Sequence, residues 1–120
     1  MNKFLALALI FAGIAVLGYL AFSFPRADAR DLDGFAQCLA DKGAVMYGAD
    51  WCPHCQNEKR VFGKSFRLIS YVECPKETQR CIDEGIRGYP TWKFPDGSRH
   101  EGEQGVDKLS AISGCVLPNE

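Results

Sequence analysis

The first thirty residues differ from the rest of the chain in the distribution of apolar and charged side chains. The run from Phe4 to Pro25 carries no charge. A helix of about 20 apolar residues spans the hydrocarbon core of a bilayer, so this run predicts a transmembrane helix. Lys3 and the free amine precede it, which predicts an N-terminus in the cytoplasm and the remaining chain on the extracytoplasmic side. We therefore predict a membrane segment with a short linker at 1–30 and a domain at 31–120.

A cleaved signal peptide is the alternative interpretation of the same segment. Ala27, Asp28 and Ala29 have the small-x-small pattern of a cleavage site, and cleavage after Ala29 would give a secreted protein. The apolar run is longer than the about 7–15 residues typical of signal peptides, which favours a retained anchor. A helix buried in a soluble protein is the third interpretation. The first two both predict that the domain is exported.

From Asp31 onward, helical and strand patterns of apolar residues alternate, with Gly or Pro at most boundaries. Leu32, Phe35 and Leu39 follow the spacing of an amphipathic helix, which Gly43 ends. The later elements are a strand at 44–47, a helix at 53–62, a strand at 69–72, a short helix at 76–84, strands at 91–94 and 99–101, and a helix around 106–112. This order predicts an α/β domain with a central mixed sheet and helices on both faces.

Composition and charge narrow the class of protein further. The 120 residues allow one domain of ordinary size, and 14 basic against 15 acidic side chains give a net charge of −1. The chain has no basic patch of the size that nucleic acid requires, so we expect no nucleic-acid binding. Six cysteines in a chain of this length favour an oxidising compartment or a metal site. The predicted export favours the oxidising compartment.

Cys52, Pro53, His54 and Cys55 form a CxxC motif where a predicted strand leads into a helix. Pro53 suits the first turn of that helix. Cys52 then lies at the helix N-terminus, where free N–H groups and the macrodipole favour the nucleophilic thiolate. A protonated His54 adds positive charge beside this sulfur, and Cys55, one turn later, can resolve a mixed disulfide. A stabilised Cys52 thiolate favours the reduced dithiol over the disulfide. The disulfide form of the motif is therefore predicted to oxidise other thiols.

An inert disulfide and half of a zinc site are the alternative interpretations of the motif. A zinc site needs about four ligands, often in two closely spaced pairs. Cys74 and Cys81, which would have to supply the second pair, do not have a usual ligand spacing. We therefore predict redox catalysis at the motif, with no metal and no cofactor.

Pro90 lies directly before a predicted strand, in the sequence GIRGYPT at 85–91. A proline does not fit the ladder of a central strand in the standard trans form. A turn containing a cis-proline would resolve this conflict. A trans proline at the beginning of the strand is the alternative.

The sequences ADWCPHC at 49–55 and GIRGYPT at 85–91, with Asp96-Gly97 in the following turn, resemble those of thioredoxin-fold proteins. The resemblance covers about residues 33–115. It implies a thioredoxin-like fold, preceded here by the N-terminal transmembrane helix. It also implies protein thiol–disulfide oxidoreductase activity.

The same resemblance implies a role for each matching residue. It makes Cys52 the attacking cysteine and Cys55 the resolving one. It makes Pro90 the cis-proline that faces them, and Tyr89 the residue whose backbone meets the substrate strand. Thioredoxins proper carry a buried acid on the strand before the motif, where this chain has Met46.

A narrower resemblance is carried by MYGADWCPHC at 46–55, YVEC at 71–74 and GYPTW at 88–92. These stretches resemble the thioredoxin-like domain associated with bacterial vitamin K epoxide reductase homologues. In that family the domain follows a transmembrane helix and carries electrons from exported substrate thiols to a quinone-linked membrane oxidase. The resemblance implies protein thiols and disulfides as substrates. It also implies a separately encoded vitamin K epoxide reductase-like or similar membrane oxidase as the partner, because one hydrophobic span cannot supply the quinone-binding bundle.

The four remaining cysteines are predicted to form structural disulfides. A Cys38–Cys115 bridge would join the first helix of the domain to its C-terminal end, and a Cys74–Cys81 bridge would close a short loop. A second redox relay at Cys74 and Cys81 is one alternative, and free thiols are another.

The residues next to the motif suggest how substrates bind. Trp51 and Tyr89 are candidates for an apolar rim where substrate peptides dock, with simple packing as the alternative. Asp50 is either a solvated loop acid or a group that tunes Cys52. The rivals to an exported oxidase are an extracytoplasmic disulfide reductase and a non-enzymatic thioredoxin-like module. Such a module would bind metal through the Cys52–Cys55 motif, or peptides on the Trp51–Tyr89 surface.

Overall fold

The N-terminal segment forms a helix in the computed structural model, which describes residues 2–23 and 31–118. Helix α1 spans Lys3–Ser23, and large apolar side chains on successive positions between Phe4 and Tyr19 are exposed. Within the described residues, no helix is both long and apolar enough to cross a membrane. The structure therefore gives no support to the predicted transmembrane helix. The end of the predicted span, from Phe24 onward, and the predicted cleavage site at 27–29 lie outside the described residues.

The elements after residue 30 follow the predicted order, with one addition. They are α2 (Asp33–Asp41), β1 (Val45–Gly48), α3 (Pro53–Phe62), a 3₁₀ helix (Gly63–Leu68), β2 (Ser70–Glu73), α4 (Thr78–Asp83), β3 (Thr91–Lys93), β4 (Arg99–Glu101) and α5 (Gly105–Ser113). The 3₁₀ helix was not predicted, because six residues are too few to show a helical period. Helix α4 begins later than predicted, since the Glu77 N–H closes a turn on the carbonyls of Glu73 and Cys74.

The four strands form one mixed sheet in the order β2-β1-β3-β4. Strand β1 pairs in parallel with β2 and antiparallel with β3, and β3 pairs antiparallel with β4. The parallel register places Gly48 opposite Glu73, and the antiparallel register places Met46 opposite Trp92. The predicted mixed sheet is confirmed. Its register brings the end of β2 beside the segment that leads from β1 into α3.

Both faces of the sheet are covered. Because side chains alternate along a strand, Met46 and Tyr47 point to opposite faces. The larger core contains Met46 together with buried residues of β3 and of helices α2, α3 and α5, namely Trp92, Phe35, Leu39, Phe62 and Leu109. The smaller core contains Tyr47, Val72, Cys74 and Cys81, of which Cys81 comes from α4. Helices on both faces agree with the thioredoxin-like fold that the resemblance implies.

Two disulfides fasten the domain. Cys38 of α2 is bonded to Cys115, which follows α5, across a sequence separation of 77 residues. Cys74, which directly follows β2, is bonded to Cys81 of α4, across a separation of 7 residues. These are the two pairings that the sequence analysis predicts.

A polar contact fastens the beginning of α2 to the 3₁₀ helix. The Arg67 guanidinium donates to both carboxylate oxygens of Asp33, at 2.8 and 2.6 Å. The buried Ser65 hydroxyl donates to the same carboxylate at 2.7 Å and accepts the Leu32 N–H at 3.2 Å. These hydrogen bonds hold the pKa of Asp33 well below its usual range, with Arg67 as the largest cause.

Candidate active site

The CxxC motif lies where β1 leads into α3. Cys52 is the last extended residue before the helix, and Pro53 is the first helical residue. The Cys52 carbonyl accepts the first helical hydrogen bond, from the Gln56 N–H at 3.0 Å. Among the described residues, Cys52 and Cys55 are the free cysteines. Cys52 is 7% exposed and Cys55 is fully buried, so Cys52 is the outer sulfur of the pair.

The loop before β3 faces the outer sulfur. The Tyr89–Pro90 peptide bond is cis, and the Pro90 ring is buried. The Cys52 thiol donates to the Tyr89 carbonyl oxygen, with 3.7 Å between sulfur and oxygen. The structure therefore brings together Cys52, Tyr89 and Pro90, as the resemblance implies.

Gly48 provides the space that the inner sulfur occupies. A Cβ atom at this position would lie 2.8 Å from the Cys55 sulfur and 3.2 Å from Cε2 of Tyr71. Both distances are shorter than ordinary van der Waals contacts. Any larger residue at position 48 would have to displace the thiol or the ring. Sequence reasoning missed this role, because a glycine at the end of a strand is equally compatible with a turn or a bulge.

The two cysteines have different electrostatic surroundings. The pKa of the Cys55 thiol is raised to about 11; burial is the largest cause, and the neighbouring Cys52 thiol acts in the same direction. A hydrogen bond from the Ala49 backbone and the positive charge of Lys59 act in the opposite direction. Cys55 is therefore a protonated thiol at neutral pH. The more accessible Cys52, at the helix N-terminus, is the candidate nucleophile.

A cluster of charged and phenolic side chains, which we call the Lys59 cluster, adjoins the inner cysteine. It consists of Lys59, Asp50, Tyr71 and Glu73. The Lys59 ammonium lies 2.8 Å from Oδ1 of Asp50 and 4.0 Å from the centroid of the Tyr71 ring. Glu73 accepts the Asp50 N–H at 2.9 Å and the Tyr71 hydroxyl. Asp50 is thus an ion-paired residue rather than only a solvated loop acid, and the hydrogen bond from Lys59 lowers its pKa.

His54 points to a carboxylate that sequence reasoning missed. Its Nδ1 lies 2.9 Å from Oε1 of Glu103, and the His54 side chain is 70% exposed. Asn57 donates to the same oxygen at 2.7 Å, and both contacts lower the pKa of Glu103, with Asn57 as the larger cause. The negative charge of Glu103 offsets the positive charge that a protonated His54 brings to the motif. In the described part of the chain, no group of three or more His, Cys, Asp and Glu residues is arranged to hold a metal ion.

Two aromatic residues form the rim beside the outer sulfur. Trp51 is 68% exposed, and its ring meets Tyr89 edge-on at a centroid distance of 6.2 Å. Tyr89 is half-buried. Most of the Trp51 surface therefore faces solvent, and docking of substrate peptides on this rim stays a prediction.

Glu58 fixes the orientation of α3 from its buried side. Its carboxylate accepts the Trp92 indole N–H at 2.9 Å and the backbone N–H groups of Gln104 and Gly105 at 3.2 Å. The carboxylate is fully buried, and the helix that carries the motif is thereby fastened to β3 and to the beginning of α5. The sequence shows little sign of this role, because Glu58 stands in the polar run QNEKR.

A mixed sheet, a free cysteine pair at a helix start and a cis-proline in the loop beside that pair are the features of a thioredoxin-like fold. No family model matches the chain. The chain is 40% identical over 91 residues to thiol-disulfide oxidoreductase LTO1 of Arabidopsis thaliana, covering 68% of this chain and 24% of that protein. It is 32% identical over 95 residues to the thioredoxin domain-containing protein 5 homolog of Drosophila melanogaster, covering 66% and 23% respectively.

Parts of two protein disulfide-isomerases are also similar to this chain. A protein disulfide-isomerase of Arthroderma benhamiae is 27% identical over 128 residues, covering 93% of this chain and 24% of that protein. The first thioredoxin domain of mouse protein disulfide-isomerase A4 has a TM-score of 0.44 at 19% identity, covering 67% of each chain. The chain spans about a quarter of the length of the curated relatives that it matches. The sequence similarities support the thioredoxin-like superfamily and, for the chemistry, thiol–disulfide exchange.

Proposed function

We propose that the protein is an exported thiol–disulfide oxidoreductase that exchanges disulfides with protein substrates through Cys52 and Cys55. The observation that carries the proposal is the pair of free cysteines at the beginning of α3, of which Cys52 is slightly exposed and Cys55 is fully buried. The Tyr89 carbonyl that faces the outer sulfur supports it, as do the names of the relatives. The two other disulfides are consistent with an oxidising compartment.

In the oxidising direction, the Cys52–Cys55 disulfide is the oxidant. A substrate thiolate attacks the Cys52 sulfur, the Cys52–Cys55 bond breaks, and Cys55 leaves as a thiolate that takes up a proton. A second substrate thiolate then attacks the substrate sulfur of the mixed disulfide and releases Cys52. The substrate dithiol has lost two electrons and two protons, and the enzyme dithiol has gained them.

Two features of the site serve substrate binding in this proposal. The Trp51–Tyr89 rim provides an exposed apolar surface beside the outer sulfur. The Tyr89 carbonyl lies next to that sulfur, in a position to accept a hydrogen bond from the backbone of an extended substrate. Pro53 and His54 complete the outer side of the motif, where both are exposed.

The oxidised form has to be regenerated. We assign this step to a vitamin K epoxide reductase-like or similar quinone-linked membrane oxidase, because of the sequence resemblance at 46–55, 71–74 and 88–92. The Cys52 thiolate attacks a disulfide of that partner, Cys55 displaces the partner sulfur, and the partner leaves as a dithiol. Electrons thus pass from substrate thiols through this chain to the membrane enzyme.

The proposal includes a single-pass membrane location with the domain on the extracytoplasmic side. It rests on the uncharged run from Phe4 to Pro25 and on the exposed apolar side chains of α1. Secretion after cleavage near Ala29 is the alternative. Membrane fractionation followed by N-terminal sequencing distinguishes the two. A chain that keeps the N-terminal segment gives the sequence of that segment, whereas a chain cleaved after Ala29 begins at Arg30.

The test of the chemistry uses a defined substrate and matched serine variants. The purified full chain carrying Cys55→Ser, in a mild detergent, is mixed with an unfolded protein that contains a disulfide. The Cys52 thiolate attacks that disulfide, and the mixed disulfide accumulates because no resolving thiol follows. The Cys52→Ser variant is expected to form no adduct, since its remaining thiol is buried and protonated. Equal adducts from both variants, or none from Cys55→Ser, would refute the assignment.

A further inference from the structure

The Lys59 cluster is not used in the mechanism above, although it adjoins the inner cysteine. Cys55 and Lys59 are four residues apart on α3, and residues with this spacing lie on one face of a helix. The Cys55 sulfur and the Tyr71 hydroxyl both lie within 3.3 Å of the position that a Cβ on Gly48 would occupy. The Lys59 ammonium lies 4.0 Å from the centroid of that same tyrosine ring. The lysine charge and the inner sulfur therefore lie on the same face of α3, and both adjoin the Tyr71 side chain.

The charges around the inner sulfur differ in sign and in position. Cys52 faces it from the helix start, Lys59 from α3 and Tyr71 from β2. Burial raises the pKa of Tyr71 above its ordinary value, and the hydrogen bond to Glu73 raises it further, so the phenol is neutral. Asp50 and Glu73 are one hydrogen bond further out. Among these described groups around the Cys55 sulfur, Lys59 is the one that carries a positive charge.

Two further buried side chains near the motif, Met46 and Glu58, do not supply a positive charge to the inner thiol. Met46 of β1 is apolar and fully buried in the larger core. Glu58, the buried carboxylate of α3, is already held by the Trp92 indole and by the backbone at the beginning of α5. The inner thiol must nevertheless lose its proton to act as a nucleophile.

We propose that Lys59 is the positioning residue for the resolving step, in which its ammonium stabilises the Cys55 thiolate as that thiolate attacks the mixed disulfide. The inference rests on the proposed function. In this step Cys55 loses its proton to solvent, the Cys52–Cys55 bond forms, and the bond from Cys52 to the outside sulfur breaks. The outside thiol leaves as a thiolate and takes up a proton. The Tyr71 ring, whose centroid lies 4.0 Å from the ammonium, holds that ammonium in place.

The test separates the attack of Cys52 from the resolution by Cys55. The reduced full chain, in a mild detergent and with a thiol count of two, is mixed with 5,5′-dithiobis(2-nitrobenzoate) in a stopped-flow instrument. Attack by Cys52 releases one nitrothiobenzoate at a rate proportional to reagent concentration. Resolution by Cys55 releases the second at a rate independent of reagent concentration. A first phase that survives Cys52→Ser would refute the proposed function. The rate of the second phase tests the role of Lys59 separately.

Lys59→Met is expected to slow the second phase about fivefold between pH 6 and 9 and to leave the first phase unchanged. Without the positive charge the thiolate is less stable, so its pKa rises and less thiolate is present at any given pH. The pH profile of the second phase is therefore displaced to higher pH. Lys59→Arg, which keeps the charge, is expected to resolve within about twofold of the wild-type rate. Lys108→Met, at an exposed position on α5, is the matched control, and it is expected to leave the rates of both phases unchanged.

Asp50→Asn distinguishes an electrostatic role from a structural one. Both this variant and Lys59→Met break the same ion pair. If the ion pair only supports the loop, both variants slow the second phase. If the lysine charge acts on the thiolate, Asp50→Asn resolves at least as fast as the wild type, because a negative charge has been removed. A second phase that Lys59→Met leaves unchanged, or that Asp50→Asn slows equally, would overturn the inference.

Discussion

Gly48 offers a sharp test of how the inner cysteine is accommodated. Replacing Gly48 with alanine adds one methyl group at a point 2.8 Å from the Cys55 sulfur. The same methyl lies 3.2 Å from Cε2 of Tyr71. Because contacts this short are repulsive, the sulfur or the ring has to move. We therefore expect Gly48→Ala to destabilise the domain by overpacking rather than by any backbone effect.

The magnitude follows from two opposing contributions. Overpacking a filled core costs about 1–3 kcal/mol. Removing a glycine from a strand returns about 0.5–1 kcal/mol, because the unfolded chain has fewer conformations to lose. The net loss in the free energy of unfolding is about 1–2 kcal/mol. For a domain of this size, each kcal/mol lowers the melting temperature by about 4–8 °C.

The assay is thermal unfolding of the full chain in a mild detergent, followed by circular dichroism. All variants carry Cys52→Ser, so that no disulfide forms at the motif. Gly34→Ala is the matched control, because Gly34 is exposed on α2 and a Cβ there meets no atom within 4 Å. This control is expected to be neutral or to stabilise the protein by up to about 1 kcal/mol.

A second background identifies the atom that is responsible. Cys55→Ala removes the sulfur. Gly48→Ala should therefore lower the free energy of unfolding less in the Cys55→Ala background than in the background that keeps Cys55. The difference between the two costs is the coupling energy between the added methyl and the sulfur. If Gly48→Ala is as harmless as Gly34→Ala, or if its cost is the same without the sulfur, the packing argument is wrong.

Two further predictions concern what fastens the domain. Replacing both Cys38 and Cys115 with alanine should lower the free energy of unfolding by about 2–5 kcal/mol, because the bridge closes a long loop in the unfolded chain; a melting temperature equal to that of the wild type would contradict this. Asp33→Asn should lower the melting temperature at pH 7, where the carboxylate accepts hydrogen bonds from Arg67 and Ser65. Since the pKa of Asp33 is depressed in the folded state, its contribution is present above the ordinary value of 3.8 and is lost as pH falls through the lower value. The difference between variant and wild type should therefore shrink in acid, and a difference that is constant with pH would refute the ion-pair explanation.

The features that the sequence predicts well are those encoded by neighbouring residues. Pro53 suits the first turn of α3, and the observed helix has the predicted bounds, Pro53–Phe62. The order of helices and strands followed from short apolar patterns between glycines and prolines. The CxxC motif was recognisable because its two sulfurs and its helix start lie within a few residues.

The surroundings of the inner cysteine depend on contacts between distant segments. Glu73 reaches Asp50 because the parallel register places it opposite Gly48, and no local pattern encodes that register. The pair of His54 and Glu103 joins residues 49 apart in sequence. Asp50 was recognisable from its place two residues before Cys52, and Lys59 left a local sign in its spacing of four residues from Cys55 on the same helix.

Glu58 and the 3₁₀ helix were missed for a related reason. A glutamate in a polar helical run looks solvent-exposed, and only the indole of Trp92 and the beginning of α5 make its burial favourable. The 3₁₀ helix at Gly63–Leu68 has too few residues for a period to appear. In both cases tertiary contacts, rather than local propensity, decide the outcome.

The reduction potential of the Cys52–Cys55 pair tests the central claim most directly. The full chain is equilibrated in glutathione buffers, and the fraction of the pair that is oxidised is measured by alkylation and mass spectrometry. A potential near or above about −200 mV is the result that we predict for a protein that donates disulfides to exported substrates. A potential near about −270 mV, as in thioredoxin, would contradict that direction and would make the protein a reductant that needs a supply of electrons.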